Sequence, residues 1–229
     1  MPTTNSLHDG YCTHGPTNWA DSRDAAGNSV DHNNTRDSNA FSYAYFHMRG
    51  TYRLRRAFMV FDTSGVSVKP ASATLTVIGY GFGSTDAIVI KSTHTIPTLT
   101  AGDFDSFDTE VTDAFGNSDG NGTGRLAGVT TSGRSITYSG QIASWDSSPA
   151  SSNVFTLTDA ALDDMVDLDD FKICIMSYSH DYLDQDDITG ATDITQSGLH
   201  WSEMGAPYIP VITYIPVAAE NATFFGTNF

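Results

Sequence analysis

The chain has 229 residues, enough for one large domain with its own core, and 27 Asp plus Glu against 11 Lys plus Arg give it a formal net charge of −16. So acidic a surface repels phosphate backbones and excludes nucleic acid as a partner, and two cysteines are too few for a disulfide framework. No window carries the roughly 18 apolar residues of a membrane span, and Met1 to Leu7 lacks the basic start and apolar run of an export signal, so the expectation is a chain made in the cytoplasm with no membrane partner.

Residues 1–8 are polar and read as an N-terminal arm, free or docked on a neighbour. Ser29 to Asn39 is irregular, and the aromatics of Ala40 to Phe46 favour a strand. Ala57 to Phe61 is a run of five apolar residues between arginines and Asp62-Thr63-Ser64-Gly65, which suits a strand buried on both faces. Val66 to Pro70 is a short connection. Strict alternation follows, with Ala73, Leu75 and Val77 toward a core and Thr74 and Thr76 toward water.

Asp86 to Ser92 makes another strand, and Thr98 to Asp108 a connection. The Gly, Asn, Asp and Ser content of the stretch from 109 to 134 demands turns, and so long a loop is more often functional or partner-ordered than inert. Asn153 to Thr158 is a strand, and Asp159 is placed to cap a helix from Ala160 to about Leu168, with Leu162, Met165 and Val166 on one face. Phe171 to Tyr178 is apolar throughout, and a second long loop covers 179 to 197. In the last strand, Tyr208 to Tyr214, Pro210 cannot donate to a ladder, which predicts an edge position or a bulge.

No Gly-x-Ser-x-Gly, His-Glu-x-x-His or phosphate-cradling glycine loop occurs, so nothing points to an enzyme and no catalytic residue is assigned. Cys12-x-His14 with His8 and His32 does not have the spacing of a structural zinc site. No cofactor is implied. Calcium is the one candidate ion, because Asp181, Asp184, Asp186 and Asp187 offer the oxygen ligands it prefers, although turn-forming aspartates explain the same cluster. Cys174, between Ile173 and Ile175, reads as a core residue and Cys12 as a loop thiol, with one long-range disulfide left open.

Arg56-Ala57-Phe58-Met59-Val60-Phe61-Asp62-Thr63-Ser64, followed by Ala71-Ser72-Ala73-Thr74-Leu75-Thr76-Val77, resembles the core of DNRLRE-like β-sandwich domains, carbohydrate-binding-module-like jelly rolls found in bacterial surface proteins and bacteriophage virion proteins. Asp9-Gly10-Tyr11, Trp19-Ala20, Phe155-Thr156-Leu157 with Ala161-Leu162, and Pro207 to Tyr214 extend the resemblance over residues 9–214. It implies an all-β, antiparallel, jelly-roll-like sandwich with one short helix, and core roles for Trp19 and Trp145. Trp201 beside His200 is the pair left for ligand contact.

The C-terminal tail, 215–229, carries Phe224, Phe225 and Phe229, which either fold back on the domain or dock into another subunit. The resemblance implies a non-enzymatic virion structural protein, a head decoration or cement protein bound to the major capsid protein or other virion proteins, with further copies of itself as neighbours. The alternative is a glycan- or receptor-binding module of a tail fibre, appendage or cell surface.

Overall fold

The computed structural model describes residues 1–15, 27–32, 46–48, 51–82, 86–106, 130–131, 134–135, 137–148, 150–183 and 196–217. Its strands are β1 Thr3–His14, β2 Ser29–His32, β3 Phe46–Met48, β4 Thr51–Asp62, β5 Ser72–Phe82, β6 Ile88–Lys91, β7 Thr130–Thr131, β8 Arg134–Ser135, β9 Ser152–Thr156, β10 Asp170–Met176, β11 Gln196–Leu199 and β12 Val211–Ile215. Every pairing is antiparallel. One α-helix, Asp159–Asp167, is present among the described residues, and no described helix is long and apolar enough to cross a membrane. The fold is the antiparallel, jelly-roll-like β-sandwich that the sequence implies.

Strand β1 joins the two layers. Its first residues, Thr3 to Asn5, pair with β12, which continues through β5 to β9. From Ser6 to His14 it pairs with β4, which continues through β10 to β6. The register shifts between Ser6 and His8, and such a bulge lets one strand turn the corner from one layer to the other. Residues 3–8 are therefore built into the sandwich instead of forming an arm.

The central strand behaves as its composition demands. Ala57, Phe58, Met59, Val60 and Phe61 are all buried, because one face of β4 meets the sandwich interior and the other is covered by the segment 92–106 and the wide turn Tyr178–Tyr182. Leu75 of β5 sits opposite Phe155 and Ile212, and all three belong to one core with Met59, Phe61, Phe171 and Ile173 of the other layer. Burial of each such side chain contributes about 2–3 kcal/mol. On the outer face of β5 the register sets Thr156, Thr74, Thr213 and Thr3 in one row across four strands, the solvated half of the alternation.

Several local expectations change. Pro210 lies just before β12, where its carbonyl accepts from Ser6 N, so the strand runs between β5 and β1 with neither an edge position nor a bulge. Thr158, not Asp159, caps the helix, its hydroxyl accepting from Ala161 N. Asp164 lies on the helix's buried face, where Tyr138 Oη donates to it and Lys91 Nζ stands 3.1 Å away. Cys12 is not in a loop: it is buried in β1 and donates its thiol to Thr100 O, and neither cysteine is in a disulfide. Trp145 is core, its indole donating to Gly198 O at 2.9 Å. Trp19, the expected strand segment 40–45 and most of the 109–134 loop lie outside the described residues.

Candidate functional site

The end of β11 leads into a turn held by its backbone. His200 N donates to Ile78 O at 3.0 Å, and Gly205, at φ +72, closes the turn Ser202–Met204 by donating to Ser202 O. A side chain at that left-handed position would be strained, so glycine is what lets the chain reverse there. Tyr208 N then donates to Gly205 O at 2.8 Å. The reversal seats the His200 ring between Tyr208, 4.5 Å away, and Tyr80 of β5, 5.2 Å away and edge-on. All three rings are half-buried, and Met204 Sδ lies 3.0 Å from His200 Nδ1. Burial disfavours the imidazolium and lowers the pKa of His200. The result is a small, uncharged stacking surface of ring faces and edges.

Trp201 does not take part as a contact residue. It is 2% exposed and stacks on Tyr11 of β1, centroids 6.2 Å apart, which makes it the base on which the patch rests. Trp201 is therefore a core residue and not the ligand contact expected from the sequence, while His200 does reach the surface. Beneath the turn lies Asp9, whose Oδ2 accepts from Ser202 N at 3.0 Å. Its Oδ1 is buried with no hydrogen-bond donor. Burial, and then the neighbouring Glu203 carboxylate, raise the Asp9 pKa to about 7.

Of the four aspartates that offer ligands to calcium, Asp181 alone lies among the described residues. Asp181 is fully buried and gives both carboxylate oxygens to Arg56, which donates from Nε at 2.7 Å and Nη2 at 2.8 Å. Arg56 also donates to Phe104 O, and its guanidinium lies 3.9 Å from the Phe104 ring centroid. With both oxygens occupied inside the core, Asp181 is a structural anchor and not an ion ligand. Asp184, Asp186 and Asp187 lie outside the described residues, as do Phe224, Phe225 and Phe229. Among the described residues no three His, Cys, Asp or Glu side chains converge to hold a metal.

Ser92, His94 and Asp103, which carried no signal at their spacing in the sequence, come together in the segment covering β4. Ser92 Oγ is 2.9 Å from His94 Nδ1, the contact of a nucleophile with its base. The rest of the geometry is structural. Ser92 donates to Ser106 O, and His94 is buried against Phe58. Desolvation and then Lys172 push the His94 pKa down to about 4.

Asp103 does not orient His94. It accepts from Thr95 N and Oγ1, Thr100 N and Oγ1, and Ser106 Oγ, all within 3.0 Å. Burial opposes its charge, yet these donors outweigh that and set its pKa below the usual carboxylate value. The adjoining cavity, lined by His8, Asp9, Phe58, His94 and Leu99 among others, has a volume of about 10 Å³, room for one water molecule and no substrate. Neither family models nor curated proteins match this chain.

Proposed function

We propose that the protein is a non-enzymatic structural component of a bacteriophage virion, a head decoration or cement protein that sits on the major capsid protein beside further copies of itself. The observation that carries this reading is the packed sandwich core of the described residues. Among the described residues its interior is filled by side chains, and the Ser92–His94 contact is a brace beside a cavity of about 10 Å³. Chemistry needs a cleft, whereas attachment needs only surfaces and ends. The resemblance of β4, β5, β9 and β12 to virion-type modules supports the same reading, since an all-β sandwich is the fold it implies.

Attachment would be carried by the acidic chain's extremities, repeated over the particle so that modest affinities multiply. Because Ile215 is still in β12, paired with Ser72, the tail is to be cut after Val217. Co-sedimentation of the full chain and of 1–217 with capsids assembled without it tests the reading. The full chain pellets saturably and the truncated chain, still folded, stays in the supernatant. Equal pelleting of both would refute tail docking, and no pelleting of either would refute decoration.

The Tyr80–His200–Tyr208 patch favours a second reading, glycan recognition by an appendage or cell-surface module, because half-exposed rings in contact suit the apolar faces of sugar rings. That reading predicts saturable sugar binding lost in Tyr208→Ala, and no binding by the wild type ends it.

A further inference from the structure

We propose that β9 is a self-pairing edge: two copies of this chain join their β9 strands antiparallel about a two-fold axis through Val154, which makes one continuous sheet across the pair. The proposal deepens the reading of copies lying side by side, and it needs no capsid.

The ladder fixes which backbone groups of β9 face outward. Among the described strands β9 pairs with β5 alone, in an unbroken register from Ser152 opposite Ile78 to Thr156 opposite Thr74. Gly79 N donates to Ser151 O at 3.0 Å and Leu157 N to Ala73 O at 2.9 Å, so the odd-numbered residues spend their amides and carbonyls on β5. The even-numbered ones point the other way. Thr158 continues that set: its N donates at 2.9 Å to Tyr138 O, which closes the flank at that point. Along the rest of the strand the N–H and C=O groups of Ser152, Val154 and Thr156 face outward, where no described strand pairs with them.

Natural sheets protect such an edge with lysine, proline, a bulge or a short strand. Over its five residues β9 has no Lys, no Pro and no register shift. Ser152, Val154 and Thr156 are exposed, Val154 by 50%, while Asn153 and Phe155 are buried. An uncharged, regular, half-apolar edge of this kind is a template for another strand.

Charge and symmetry say which strand. At a net charge of −16, two copies repel each other wherever carboxylates face. The outer face that runs up to this edge carries no charged side chain in its register: the threonine row from Thr3 to Thr156 is followed by Asn5, Val211, Thr76 and Val154. Laid antiparallel about Val154, the strand also matches itself. Val154 stands opposite its own counterpart and Ser152 opposite the counterpart of Thr156, so a β-branched pair is flanked on each side by a pair of hydroxyls, and each residue exchanges N–H and C=O with the one opposite. The contact is isologous, so it closes at two copies.

Sedimentation equilibrium of the full chain over a range of concentrations, with no capsid present, tests this. The wild type is expected to rise from the mass of one chain to that of two and no further. Val154→Glu sets two carboxylates opposite each other across the axis and is expected to weaken the pair about tenfold or more, with an unchanged circular dichroism spectrum because the side chain is half-exposed. Val154→Cys supplies a second readout, since in such a pair the two Cα atoms stand about 5.5 Å apart, a separation that a disulfide spans. The native cysteines are buried. Oxidised glutathione is expected to cross-link Val154→Cys about tenfold or more faster than Val68→Cys, a control at an exposed site outside the strands. A wild type that stays a single chain at every concentration would overturn self-pairing. So would a pair that Val154→Glu leaves as tight, or equal cross-linking of the two cysteine variants. Capsid co-sedimentation is measured separately, so this proposal and the decoration reading fail independently.

Discussion

Removing the carboxylate of Asp181 tests whether the buried ion pair is a structural unit. Both side chains are fully buried, Arg56 spends Nε and Nη2 on Asp181, and Nη1 goes to Phe104 O. Asp181→Leu takes the bidentate carboxylate from a guanidinium in the core, and such a loss costs about 3–5 kcal/mol. Arg56→Met takes both guanidinium donors from the buried carboxylate and costs about the same. In the double variant no charge remains, and apolar side chains of similar volume fill the space. Its cost should fall to about 1–2 kcal/mol, less than that of either single change. Urea unfolding followed by circular dichroism at neutral pH measures all four corners of the cycle, with calcium present and absent. A double variant as unstable as the sum of the singles would refute the pairing. Wild-type stabilisation by calcium that vanishes in Asp181→Leu would refute the assignment of Asp181 to structure.

Three other outcomes follow from the same coordinates. A Cβ on Gly79 would fall 1.8 Å from Asp146 O, a carbonyl pinned in place by Asn153, so Gly79→Ala should cost about 3 kcal/mol or more in chemical denaturation. Asp103 has a depressed pKa, so its contribution is present above the unfolded value near 4 and is lost as pH falls below it. Asp103→Asn should therefore flatten the acid limb of a plot of melting temperature against pH. Thr158→Ala removes the helix cap and should destabilise by about 1 kcal/mol, while Asp159→Ala, an exposed position, should be nearly neutral.

What could be read in advance was whatever depends on near neighbours in sequence. The double-sided apolar run of β4 and the alternation of β5 each state their environment in a few consecutive residues, and the apolar strand β10 does the same. β1 was illegible because Thr3 to Cys12 is polar: its strand character comes from pairing with β4 and β12 and not from its own pattern. Arg56 with Asp181, and Asp9 with Ser202, are separated by 125 and 193 residues, so no spacing rule could join them. Trp201 misled for a related reason. A tryptophan beside a loop looks available, and Tyr11, far away in the chain, stacks on it inside the core. A buried acid at Asp9 could have been suspected from Asp9-Gly10-Tyr11 only once the N-terminal segment was known to be a strand.

Whether the outside of this sandwich is its working part is settled by counting molecules. Under the decoration proposal, capsids of the phage that would carry this chain are assembled without it and titrated with the purified protein, and bound copies per particle are measured by quantitative mass analysis. Decoration predicts saturation at a fixed number commensurate with the capsid lattice, reached without any chemical change in either partner. Binding that never saturates, or none at all, would contradict it.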